Sequence, residues 1–208
     1  MKILSLDSSS PVSSVAVVSF GDEEPIVSFG SDSPHARSDS SALFSALRQA
    51  VDSCGSPDAV CVGLGPGSYN GLRAAIAAAR AIATGLRIPL HALPSPLGWP
   101  GPESGFWAVG DARGGHYWLA AVQKEAFLEE PVLLSPHDVA LSLAARPDFP
   151  ILSPGPLPGI MDIRTTTPSA ARLALLAKKL DPLFLAQGTP EPLYLKPPHI
   201  TAPRSPAS

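Results

Sequence analysis

Proline sets the limits on what this chain can fold into. There are 25 prolines in 208 residues, and 20 of them lie at or beyond Pro89. Proline fixes φ and lacks an N–H, so helix interiors and central strands must fit between these positions. The first 88 residues can therefore form long elements, whereas the rest must be built from short ones joined by rigid turns. The last stretch has room for one short strand, Leu193-Tyr194-Leu195, and is otherwise expected to be a disordered tail over 197–208.

Within those limits, apolar periodicity marks the elements. Residues 2–7 and 13–20 read as strands, and Gly21-Asp22-Glu23-Glu24 turns the chain into a third at 25–30. Leu43, Leu47, Ala50, Val51 and Cys54 recur at helical spacing and predict an amphipathic helix over about 38–53. Ala59 to Leu64 is a continuous apolar run of the kind found in buried parallel strands. A glycine-rich turn and a helix over about 71–86 follow. The second half repeats the order, with strands at 106–111, 117–123 and 131–134, a helix near 136–145, a strand at 149–152 and a helix near 168–180. Each half has an aspartate at the end of its first strand, Asp7 or Asp111, followed by a hairpin of small residues. Two successive βββαβα units predict an α/β protein of two ribonuclease-H-like lobes, the architecture of the actin/Hsp70/sugar-kinase superfamily. The expected division is 1–100 for the first lobe and 101–196 for a smaller second one.

Composition removes several functional classes. Fifteen Lys and Arg against 18 Asp and Glu leave a net charge of −3, which excludes nucleic-acid binding by bulk positive charge. Cys54 and Cys61 offer neither a disulfide framework nor a cysteine zinc site, and both read as core residues. The five histidines are scattered without metal-ligand spacing. Ser8-Ser9-Ser10 lies in no nucleophile elbow. No signal-peptide or membrane-spanning run is present, so a cytoplasmic protein without membrane contact is expected, with no catalytic and no metal-ligating residues.

The most informative segment is Gly63-Leu64-Gly65-Pro66-Gly67-Ser68-Tyr69-Asn70-Gly71-Leu72-Arg73 and the helix it opens. A glycine-rich turn between strand and helix N-terminus is the setting for anion binding, yet no Lys-Ser/Thr pair closes it as a Walker loop would. The alternative is a tight turn whose glycines permit close packing, and the residue chemistry favours that. In the helix, Leu72, Ala75, Ile76, Ala79, Ile82, Ala83 and Leu86 share a face that must meet the sheet. Arg73, Arg80 and Arg87 share another, with Ala77 and Thr84 among them. Between the two runs a strip of Ala74, Ala78, Ala81 and Gly85. Part of that alanine content is helix propensity, but a helix needing one buried face would be polar elsewhere. A small-residue strip flanked by arginines suits a partner helix that approaches closely and brings carboxylates. On this reading Ala78→Glu would block the contact and leave the monomer folded.

In ATPases of the two-lobed type, the first aspartate precedes a glycine-rich hairpin that wraps phosphate. Asp7 is instead followed by Ser8, Ser9, Ser10 and Pro11, without glycine. The second turn, Asp111-Ala112-Arg113-Gly114-Gly115, keeps glycines but places Arg113 in the loop. Asp7, Ser8, Ser9, Asp111 and Arg113 thus read as positions of a degenerate nucleotide site.

KILSLDSSSPVSSVAVV, VGLGPGSYNGLRAAIAAARAIA, IPLHALPSPLG, GDARGGHYWLAAV and PLYLK occur in series across residues 2 to about 196. In these motifs the chain resembles the TsaB (YeaZ) family of the glycoprotease-like group. It departs from the family at Tyr69-Asn70, where Phe-Thr is usual, and at Ser8, where Thr is. The resemblance implies a non-catalytic subunit in the making of threonylcarbamoyladenosine in tRNA. Such a subunit binds and activates a TsaD-type transferase, which moves the threonylcarbamoyl group to N6 of the adenosine 3′ to the anticodon. A TsaE-type ATPase would complete a ternary complex, tRNA would be met only through the complex, and the same helical surface would form a homodimer when the chain is alone. No cofactor is expected for the chain by itself, with ATP or ADP and Mg left open for the complex. The implied partner surface is Gly65, Pro66, Gly67, Ser68, Tyr69, Asn70, Gly71, Arg73, Ala74, Ala77, Ala78, Arg80 and Ala81. Two rivals are an autonomous small-molecule kinase or ATPase of the same fold and a peptidase; for the latter the sequence supplies no metal pair and no nucleophile–base motif.

Overall fold

A computed structural model describes residues 1–34, 39–180 and 190–195. The expected tail at 197–208, His35 and His199 lie outside the described residues. Five strands form the first sheet: β1 (Lys2–Asp7), β2 (Val12–Ser19), β3 (Ile26–Pro34), β4 (Ala59–Gly63) and β5 (Leu90–Leu93), in the order β3-β2-β1-β4-β5. The second contains β6 (Phe106–Arg113), β7 (His116–Gln123), β8 (Ala126–Leu134), β9 (Ile151–Ser153) and β10 (Ile163–Thr165), in the order β8-β7-β6-β9-β10. Each sheet pairs its first three strands antiparallel and its last two parallel to the first. The repeat expected from element order is therefore a repeat of sheet topology, and the two-lobed α/β architecture holds.

Alternation along the strands assigns the two faces of the first sheet. Leu4, Leu6, Val60 and Val62 point to one side, where α1 (Ser41–Cys54) lies over β2 and β3 and α2 (Tyr69–Leu86) lies over β4 and β1. Ile3, Ala59 and Cys61 point to the other and are covered by α4 (Ala170–Lys179) through Leu173, Ala174, Leu176 and Ala177. A helix read with the second half thus closes the core of the first sheet. Its N-terminus is held there by two backbone donors: Ala170 N–H to Ser14 Oγ at 2.9 Å and Ser169 N–H to Gly98 O at 3.0 Å. On the second sheet, α3 (Pro136–Ala145) contributes Val139 to one face, and Trp99 packs on the other.

Several expectations change. Residues 193–195 form no strand; Leu193 N–H donates to Leu64 O at 2.8 Å and the segment otherwise lacks ladder partners among the described residues. Strands β5 and β10 and the short 3₁₀ turn Ser95–Gly98 were absent from the periodicity reading, because each is only three or four residues long, and prolines border β5 and the turn. β10 inserts where the second βββαβα unit would have a helix, so α4 follows it and leaves for the first sheet. Leu86 and Val51, assigned to buried faces, are exposed, since each lies near the end of its helix where the sheet no longer reaches. Among the described residues, no helix is long and apolar enough to cross a membrane.

Candidate functional site: a filled phosphate turn and an open helix face

The glycine-rich turn and the turn after β1 meet directly. Asp7 and Gly63 end neighbouring strands on the same side of the sheet, and a Cβ on Gly63 would land on the Asp7 carboxylate. A Cβ on Gly67 would strike the Ser9 carbonyl oxygen, and one on Gly71 the Ser8 carbonyl oxygen. Ser68 N–H donates to that Ser9 carbonyl at 2.7 Å, and Ser68 Oγ caps α2 by accepting from Gly71 N–H at 3.3 Å. The glycines serve close backbone approach, and the space a side chain would take at Gly67 and Gly71 is held by the chain's own carbonyls. Only Gly65, at φ +89°, also requires the left-handed region.

Asp7 is the centre of this junction. Its Oδ1 accepts from Ser9 N–H at 2.8 Å and Ser9 Oγ at 2.7 Å, and its Oδ2 accepts from Ser95 Oγ at 2.5 Å. Ser95 Oγ in turn accepts from Gly65 N–H at 2.8 Å, so one carboxylate ties β1, the proline-flanked 3₁₀ turn and the glycine turn together. Ser95 was missed by the sequence reading, and no periodic signal marks a serine between two prolines. Burial drives the Asp7 carboxyl above its ordinary value, opposed in part by the bonds from Ser95 and Ser9. Burial likewise pushes the neighbouring Cys61 thiol up to about 12, which makes it an inert core residue.

Asp111, by contrast, is exposed and spent within its own hairpin. It accepts from Arg113 N–H at 2.7 Å and pairs with the Arg113 guanidinium at 3.2 Å. The residues expected of a nucleotide and its magnesium therefore do not fit one here: one carboxylate is buried and fully bonded, the other is neutralised by a loop arginine. Among the described residues no group of three His, Cys, Asp or Glu is placed to hold a metal.

The remaining candidate residues lie in the glycine turn and on α2. Gly67, Ser68, Tyr69, Asn70, Arg73, Ala77, Arg80 and Ala81 are exposed and Ala74 is half-buried, whereas Gly65, Pro66 and Gly71 are buried in the junction. Ala78 requires correction. It is 9% exposed and packs in the core cluster shared with Leu43, Leu47 and Ala50 of α1. The strip turns inward at that point because α1 lies beside it, so Ala78→Glu would disrupt the monomer as well as any contact. Two residues of α1 outside the expected interface are exposed as well: Phe44, which the sequence reading passed over, at 52%, and Val51, which it assigned to the buried face, at 41%. Their seven-residue spacing beside the buried Leu43 and Ala50 was the available signal.

Comparison with known proteins agrees with this geometry. Residues 32–98, the segment that includes α1 and α2, match the family model described as TsaD, tRNA N6-adenosine threonylcarbamoyltransferase. No curated protein matches the chain. The solved structure of YeaZ from Pseudomonas aeruginosa superimposes with TM-score 0.74 at 22% identity, covering 93% of this chain and 99% of that one. A second Pseudomonas aeruginosa structure, of a protein with similarity to peptidase YeaZ, gives TM-score 0.70 at 20% identity, covering 94% and 99%.

Two measurements check the junction. Gly71→Ala should lower stability by about 2–3 kcal/mol through the Ser8 clash, whereas Gly85→Ala in the same helix, with open space around it, should raise it by about 0.5–1 kcal/mol; equal effects in urea melts would contradict the packing account. The second concerns pH. Because the folded pKa of Asp7 lies above its unfolded value near 3.9, the stability it contributes is complete below about pH 4 and is lost as pH rises through the folded value. Asp7→Asn, which cannot ionise, should therefore gain on the wild type in Tm as pH rises above about 4; a gap that moves the other way would contradict it. Motifs and fold agree: the chain has the fold of the TsaB (YeaZ) proteins over nearly its whole length.

Proposed function

We propose that this protein is a TsaB-type subunit that binds a TsaD-type transferase through α1 and α2 and holds it in its active conformation for threonylcarbamoyl transfer to tRNA. The observation that carries the reading is the contrast between the two candidate sites. The glycine turn is packed by Ser8, Ser9 and Asp7, while the two helices over the same core leave Phe44 and Val51 of α1 and Ala77 and Ala81 of α2 exposed. Exposed apolar and small residues grouped on two adjacent helices are the mark of a contact surface rather than a solvated one. The matched family segment spans these helices, and a TsaD-type chain is the paralogue expected to present an equivalent helix pair. The ATPase of the completed assembly and the tRNA would then be met through the complex, without nucleotide chemistry by this chain.

The kinase or ATPase alternative would need Asp7 free to hold a metal, and the three hydrogen bonds on its carboxylate oppose that. The peptidase alternative has no support beyond the word in a relative's description.

Ala81 supplies the test that Ala78 cannot, because it is exposed in the monomer. Ala81→Glu should change stability by no more than about 0.5 kcal/mol and abolish co-elution with the transferase subunit in gel filtration. A variant that still forms the complex at wild-type stoichiometry would sink the assignment of this face.

A further inference from the structure

Beside the exposed strip of α2, the end of the described chain adds a wall. Leu193 is bonded to Leu64 beside the glycine turn, and Leu195 packs against the core of the second sheet, so the segment 190–195 is strapped across the molecule. Between this strap and α2 runs an open groove of about 400 Å3, with Ile76 and Ala77 on its floor, Arg73 and Arg80 along one side and Glu191 and Tyr194 on the other. The Tyr194 ring stacks on Tyr69 with centroids 5.3 Å apart. Tyr69 in turn holds Arg73, whose guanidinium lies 4.9 Å from the ring centroid and donates to the phenol oxygen at 2.8 Å. Arg80 makes no ion pair among the described residues.

We infer that the strap completes the partner surface, and that the groove takes an acidic helical segment of the transferase subunit, with carboxylates at Arg80 and Arg73. This rests on the reading of α1 and α2 as the partner face, and adds to it an element about 120 residues away in sequence. Charge selects the occupant. Residues 69–87 contain Arg73, Arg80 and Arg87 and no carboxylate, so the homodimer expected of the chain alone would offer these arginines no carboxylate from α2. A nucleic acid would meet Glu191 on the opposite wall and a chain of net charge −3. A carboxylate-bearing helix meets two arginines, and small residues on the floor let its backbone approach. Tyr194 acts here as a positioning residue: its ring fixes Tyr69, and Tyr69 fixes Arg73.

The experiment is isothermal titration of the full chain with the transferase subunit, using Tyr194→Ala, Tyr194→Phe, Arg80→Glu and Ala81→Glu. Tyr194 is 45% exposed, so its removal should leave the thermal melt in place. Tyr194→Ala and Arg80→Glu should each weaken binding at least about tenfold, and Tyr194→Phe, which keeps the stack, should bind within about twofold of wild type. If Ala81→Glu abolishes binding while Tyr194→Ala and Arg80→Glu leave it unchanged, the partner face stands and the groove is overturned. The groove also falls if those two variants alter only the chain's own oligomeric state, or only the binding of tRNA to the isolated chain. Absence of any complex with the wild type would remove the underlying reading itself.

Discussion

The buried carboxylate of Asp7 is the constraint on which the rest of the first lobe depends. It collects donors from Ser9 and Ser95, and through Ser95 it reaches the Gly65 amide. Removing a carboxylate from water is costly unless its oxygens are bonded. The arrangement persists because three donors converge on it and because the glycines let the strands and turns come close enough to supply them. Gly63, Gly67 and Gly71 each lack a Cβ where one would meet Asp7, Ser9 or Ser8. The Asp7 side chain and the glycines are one device: neither can change in shape without leaving the other in contact with nothing or with too much.

That device accounts for a glycine turn that is packed shut rather than open. The topology repeats the strand end and the hairpin in both sheets, and has the helix N-terminus after the fourth strand in the first sheet alone. Yet the first hairpin is pulled into the glycine turn by its own backbone, and the second neutralises its aspartate with Arg113. The outer surface of α1 and α2 lies outside this junction and keeps Phe44, Val51, Ala77 and Ala81 exposed. Its rigidity follows from the same junction, since Ser68 is held both by Ser9 and by its cap on α2. A helix fixed in that way presents its exposed residues without an ordering cost on binding.

Much of this was legible in the sequence wherever one element dominated its own periodicity. The helices fall within a few residues of their expected places, but β8 begins five residues before the expected 131, and Asp7 ends β1 whereas Asp111 lies two residues before the end of β6. Periodicity could not say which neighbour a strip faces. Ala74, Ala78, Ala81 and Gly85 look alike on a helical projection, but α1 buries Ala78 and leaves Ala81 exposed. Nor could it show that α4, late in the chain, covers the first sheet, because the crossing depends on β10 replacing a helix. The roles of Ser95 and Tyr194 come from contacts spanning 88 and 125 residues, and no local pattern encodes them. Small polar and aromatic residues among prolines look like loop until the partner they touch is known.

The central claim is that this chain does no chemistry of its own and is nevertheless required for another subunit's chemistry. Its most direct test is a reconstitution with tRNA, threonylcarbamoyl-AMP synthase and the TsaD- and TsaE-type subunits of the same organism, quantifying the modified adenosine with and without this protein. Product that disappears on omission, returns when the wild-type chain is added, and returns equally with Asp7→Asn is the result the account predicts. Undiminished product without the chain, or product restored by the wild type and lost with a folded Asp7→Asn variant, would contradict it.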